Sequence, residues 1–109
     1  MTEADLLAAI DRLCARHDVW HYHAAAHPVA PRYRGFPDLV LVGTERGCFR
    51  ELKAESARVT VDQRRVGAML RTVGWDWEAW RPADLASGRI ETELAALSGR
   101  RPWGERCAP

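Results

Sequence analysis

Asp38, Glu51 and Lys53 are the residues of this chain whose types and spacing could do chemistry together. A strand alternates its faces with period two, so Glu51 and Lys53 share a face with Leu52 between them. Asp38 stands thirteen positions before Glu51. Leu39 to Val42 reads as a strand, Thr44 to Gly47 as a turn and Cys48 to Lys53 as the return strand. A connection this short makes the pair an antiparallel hairpin and carries both carboxylates to one end of it. Two carboxylates that close repel each other unless a cation lies between them. Hard oxygen donors suit Mg²⁺ or Mn²⁺, which keep several waters and bind phosphate oxygens. The ammonium of Lys53 beside such an ion can hold and polarise an attacking water. Together these are the parts of a phosphodiester-hydrolysis site. The plainer alternative makes Glu51 and Lys53 an exposed cross-strand pair and Asp38 a turn former after Pro37.

The elements that must position these residues read as helix, two strands, helix, strand and helix. Thr2 caps a first helix with Asp5 in its first turn, and Leu6, Leu7, Ile10, Leu13 and Cys14 follow at helical spacing. Glu3 lies at the edge of that apolar face. Val19 to His23 alternates and is a short strand or an extended lead-in. Pro28, Pro31 and Gly35 mark a loop from Ala24 to Gly35. Thr60 and Gln63 form a capping-box pair at the start of a second helix. Val66, Met69, Leu70 and Val73 supply its apolar face, and Gly74 suits its end. Trp75 to Trp80 reads as a third strand, with Trp75, Trp77 and Ala79 on one side. Pro82 opens a short helix with Leu85, and Ile90, Leu94 and Leu97 line the last one. Residues 98–109 read as a loose tail.

The chain has 109 residues, 47% of them apolar and 28% charged, which is one ordinary folding domain. A formal net charge of +1 excludes a strongly basic nucleic-acid coat. No apolar run approaches the roughly 18 residues of a membrane span, so no membrane partner is expected. The acidic start, Met1 to Asp5, is unlike a signal peptide, and the expectation is a cytoplasmic protein. Charge is nevertheless uneven, because residues 45–71 are net basic and lie between net acidic stretches at 1–18 and 72–97. A local positive patch can steer a polyanion, although such clusters are also ordinary solvated faces. Cys14 and Cys48 read as core residues and Cys107 as a free thiol in the tail. His17, His21, His23 and His27 lack a recognised zinc spacing. His21 and His23 are weighed instead as neighbours of the metal. Trp77 and Trp80 are expected to flank a contact with a second copy.

Gly35-Phe36-Pro37-Asp38, then Glu51-Leu52-Lys53, then Gln63 at a helix start, resembles the PD-(D/E)XK nuclease superfamily. Within it, the chain is most similar to the small stand-alone VRR-NUC domains of phages and bacteria. The resemblance covers roughly residues 2–85, from Glu3 on the first helix to Trp80-Arg81-Pro82 at the end of the third strand. It implies an α/β fold with a small mixed central sheet (an antiparallel hairpin plus a further strand) flanked by helices, in a restriction-endonuclease-like core over residues 1–97.

The same resemblance implies that Asp38, Glu51 and the Leu52 carbonyl hold Mg²⁺ or Mn²⁺. Lys53 orients the water, Gln63 supports the site, and Glu3 reaches the metal directly or through water. Family members often carry a basic stretch before the Pro-Asp motif. Here the basic pair lies beside Gly35, so Arg32, Arg34 and Arg58 are the candidates for phosphate contacts. Tyr33 either packs or stacks on a splayed base. The expected activity is a structure-selective DNA endonuclease acting on branched or Holliday-type junction DNA as a homodimer, in the cytosol of a bacterium or a phage-infected host. The alternative is a DNA-binding module of the same fold that does not cut.

Overall fold

The computed structural model describes residues 1–26 and 29–98. The tail from residue 99 onward, with Cys107, and the histidine at position 27 lie outside the described residues. Helix α1, Glu3–His17, begins where Thr2 Oγ1 accepts the Asp5 N–H and Asp5 returns a carboxylate to the Thr2 N–H. That reciprocal pair holds the Asp5 carboxyl below its ordinary range. The helix ends at Asp18 in the left-handed region and turns into strand β1, Trp20–His23. Two short 3₁₀ turns, Ala24–Ala26 and Pro31–Tyr33, occupy the expected loop. Strands β2, Leu39–Val42, and β3, Gly47–Leu52, form the antiparallel hairpin, with Leu39 opposite Arg50 and Val42 opposite Gly47. Helix α2, Val61–Thr72, then crosses over to strand β4, Trp77–Trp80, which pairs in parallel with β3. Two helices finish the chain, α3, Pro82–Ala86, and α4, Arg89–Leu97.

The result is a mixed α/β fold around a four-stranded sheet in the order β1-β2-β3-β4. One face of the sheet carries Leu39, Leu41, Cys48, Leu52 and Trp80 and packs on Leu6, Ile10 and Cys14 of α1 and Ile90, Leu94 and Leu97 of α4. Both expected core cysteines, Cys14 and Cys48, are buried there, and burial pushes the Cys48 thiol up to about 11. The other face is covered by α2 over β3 and β4. Trp20 and Tyr22 of β1 and Val42 of β2 remain exposed on it.

Two expectations about this second face need correction. Trp77 and Trp80 do not flank a surface contact. Trp80 is fully buried in the main core, and Trp77 is buried beneath α2. The helix is also turned partly away from the expected face: Val66 and Leu70 are half-buried, but Met69 and Val73 are 58% and 69% exposed. The cause is Gly67, the buried residue of α2, which rests on the Trp77 indole. A Cβ at position 67 would come within 2.7 Å of that ring, so the close approach at glycine sets the rotation of the helix. Among the described residues no helix is long and apolar enough to cross a membrane.

Candidate active site

Strand alternation places Glu51 on the α2 face of the sheet, in the same phase as Val40, Phe49 and Ala79. Asp38, two positions before Val40, shares that phase. The hairpin register therefore brings the two carboxylates together. Asp38 Oδ2 accepts the Leu52 N–H at 2.8 Å, which fixes its carboxylate against the end of β3. Glu51 is only 2% exposed. Its Oε1 accepts a hydrogen bond from Gln63 Nε2 at 2.9 Å, and its Oε2 is buried with no hydrogen-bond partner among the described residues.

Gln63 does two jobs at once. Its Oε1 accepts the Thr60 N–H at 2.8 Å while Thr60 Oγ1 accepts the Gln63 N–H at 3.1 Å, the capping box expected from the sequence. Because the amide oxygen is engaged at the helix start, the amide nitrogen is left to face Glu51. Capping geometry thus aims a donor into the site.

Lys53 follows β3, with its N–H donated to the Trp80 carbonyl at 3.0 Å. It is 8% exposed, and it forms no ion pair among the described residues. The alternative in which Glu51 and Lys53 form an exposed surface pair therefore fails, because both are buried. A buried carboxylate with one unpartnered oxygen is costly in its charged form. Burial, then the neighbouring Asp38 carboxylate, push the Glu51 carboxyl up to about 9, with Glu3 adding to the repulsion and Lys53 opposing it.

Glu3 is exposed at the start of α1, near enough for its charge to act on Glu51. Among the described residues no three His, Cys, Asp or Glu side chains converge as a ready-made metal cluster. The donor set is two carboxylates, with backbone and water to complete it. That composition fits Mg²⁺, which is commonly held by one or two carboxylates and keeps several waters. Glu51 Oε2, with no hydrogen-bond partner among the described residues, has its lone pairs open to such an ion.

Arg32 and Arg34 are exposed on the loop before β2. Gly35 ties that loop to the site: its φ is +94°, and a Cβ there would lie 2.4 Å from the Asp62 carbonyl oxygen. The loop thus presses on the first turn of α2. Tyr33 does not pack into the core; it is exposed, with Arg32 over its ring. Arg58 is exposed on the segment between β3 and α2. Arg81 holds that segment by donating to the carbonyls of Ala54 at 2.8 Å, Glu55 at 3.2 Å and Ala57 at 2.6 Å. His21 belongs elsewhere. Its Nε2 lies 2.8 Å from Asp11 Oδ1 of α1, and both His21 and His23 are in the phase of the opposite sheet face.

Sequence reasoning gave Arg81 no role. Its hydrogen bonds reach back 24 to 27 positions, and nothing local announces them. Gly67 left a signal that went unused, because a glycine inside a helix costs about 1 kcal/mol against alanine and calls for a packing reason. Comparison with family models, with curated proteins and with solved structures gives no match to this chain.

Proposed function

We propose that this chain is a metal-dependent DNA endonuclease with a restriction-endonuclease-like core, cutting phosphodiester bonds at branched or junction DNA. The observation that carries the reading is the buried, unpartnered Oε2 of Glu51 beside Asp38 and Lys53. Asp38, Glu51 and the Leu52 carbonyl would hold Mg²⁺ or Mn²⁺, with Glu3 near enough to act through water. When bound, such an ion supplies Lewis acidity to the phosphate and lowers the pKa of a coordinated water.

The protein's own groups do the rest. Gln63 holds Glu51 Oε1 and leaves Oε2 as the open donor. The Leu52 N–H holds one Asp38 oxygen and so orients the other. Lys53 brings a positive charge into the site, where its ammonium can orient the attacking water and stabilise charge growing on the phosphate. Arg32, Arg34 and Arg58 grip the DNA backbone around the site. A homodimer in the cytosol belongs to the same reading. Its support is the uncovered sheet face bearing Trp20, Tyr22 and Val42, which a second copy would cover.

Incubation of labelled four-way junction, flap and duplex DNA with Mg²⁺, Mn²⁺ or EDTA tests the activity. Cutting in Mg²⁺ or Mn²⁺ that falls about 100-fold or more in Asp38→Ala and Lys53→Ala is the expected result. Tight binding with no cutting under any metal would instead make the chain a binding module.

A further inference from the structure

Three arginines of this chain are held close to carboxylates. Arg16, Arg50 and Arg89 each lie within 3.2 Å of a carboxylate. The arginines of α2 do not. Arg64 has no side-chain partner among the described residues, and Arg65 reaches only Asp62, at 4.0 Å. Arg71 donates its Nε to the Trp77 carbonyl at 2.9 Å and lies over the Trp77 ring, so its terminal nitrogens meet no carboxylate.

These three side chains line one open cleft of about 680 Å³, together with Val61, Ala68 and Trp77. No acidic residue lines it. Beneath it lies Trp77, 8% exposed, whose indole N–H is buried with no acceptor among the described residues. The cleft thus has three arginines and no carboxylate among its lining residues, and Asp62, 4.0 Å from Arg65, lies outside that lining. The complement of such a cleft is an anion.

Direction and spacing narrow that anion. Helix α2 starts at the candidate active site, where Gln63 meets Glu51, and Arg64 is the next residue. Arg64 and Arg71 are two turns apart on one side of the helix, a separation of roughly 10 Å at 1.5 Å per residue. A strand carries one phosphate per nucleotide, so a span of this length can meet more than one phosphate of a single strand.

We infer that the Arg64, Arg65 and Arg71 cleft binds the sugar-phosphate backbone of the DNA strand where it leaves the active site. The identity of the polyanion rests on the nuclease reading, whereas the cleft's preference for phosphate does not. The contact carries no base specificity, because arginines on phosphates position a strand without reading it.

Fluorescence anisotropy of the full chain with a labelled DNA duplex and a labelled four-way junction tests this, in EDTA so that nothing is cut. Affinity is followed across a salt series for the wild type, Arg64→Gln, Arg64→Gln/Arg65→Gln and Arg12→Gln, the last an exposed arginine on α1. Losing one phosphate contact lowers the slope of log affinity against log salt by about 1. Arg64→Gln should show that change, the double variant roughly twice that change with binding about 10-fold weaker or more, and Arg12→Gln none. Wild-type affinity and slope in both α2 variants would overturn the inference even if the wild type cuts DNA. DNA binding that depends on Arg64, together with no cleavage in the Mg²⁺ and Mn²⁺ incubations above, would leave the cleft standing and remove the nuclease reading. Tighter binding of single-stranded RNA than of DNA, or no binding of nucleic acid at all, would overturn the inference as well.

Discussion

The two faces of the sheet treat charge in opposite ways. On the α4 face, Arg50 is 3% exposed but bonded to Asp76 at 3.0 Å and Glu93 at 2.9 Å. Glu93 also accepts from Arg89 at 2.7 Å and from Trp80 Nε1 at 3.2 Å, and Arg89 reaches Glu78 and Asp84. Burial opposes the Glu93 charge, yet the hydrogen bonds from Arg50 and Arg89 outweigh it and hold its carboxyl below the ordinary range. On the α2 face, Glu51 keeps an orphaned oxygen and its carboxyl is pushed the other way, up to about 9. The α4 face thus pairs its buried charge with opposite charge, with Arg50 Nε lacking a hydrogen-bond partner among the described residues, whereas no cation bonds Glu51 on the α2 face among those residues. Perturbed groups of the second kind concentrate at functional sites.

The largest expected effect separates activity from stability on the α2 face. Lys53→Met should lower the cleavage rate about 100-fold or more, while chemical denaturation shows stability equal to or above wild type, because a buried charge with no ion pair is exchanged for an apolar group. A clear stability loss would mean that Lys53 is structural. On the other face the opposite pattern is expected. Arg50→Ala leaves Glu93 and Asp76 without their shared cation and should cost roughly 3 kcal/mol, read from urea unfolding, with cleavage by the remaining folded protein little changed.

A smaller effect is expected at the contact that seats α2. Gly67→Ala places a methyl against the Trp77 ring, and overpacking of this kind costs about 1–3 kcal/mol. It should also reduce cleavage, because Gln63 moves with the helix and loosens its hold on Glu51. A further effect is a pH trend in metal-free protein. The Glu51 carboxyl has an ordinary pKa of 4.5 when unfolded and about 9 when folded. Between those values the folded chain holds the extra proton, so stability falls as pH rises from about 5 to 9. Thermal melts of Glu51→Gln should show a shallower decline, and saturating Mg²⁺ should flatten the wild-type curve.

Much of this contrast was legible before the structure. The alternation that puts Glu51 and Lys53 on one face also puts Arg50 on the other, and the Thr60–Gln63 box marked the helix start from which Gln63 meets Glu51. What stayed hidden depended on distant partners. Arg50 meets residues 26 and 43 positions away, and nothing in Arg-Glu-Leu-Lys says so. The apolar residues of α2 suggested a face through Met69 and Val73, but the actual face was set by a glycine matched to an indole on a later strand. Periodicity reads the side chains that are present. It does not register a contact made possible by a missing one.

Titration calorimetry of Mn²⁺ into the full chain, without DNA, tests the central claim most directly. Saturable binding that releases protons as pH falls toward neutrality, and that disappears in Asp38→Ala and in Glu51→Gln, is the expected result. Binding that survives both substitutions, or no binding in the wild type, would contradict a shared ion site at these two carboxylates.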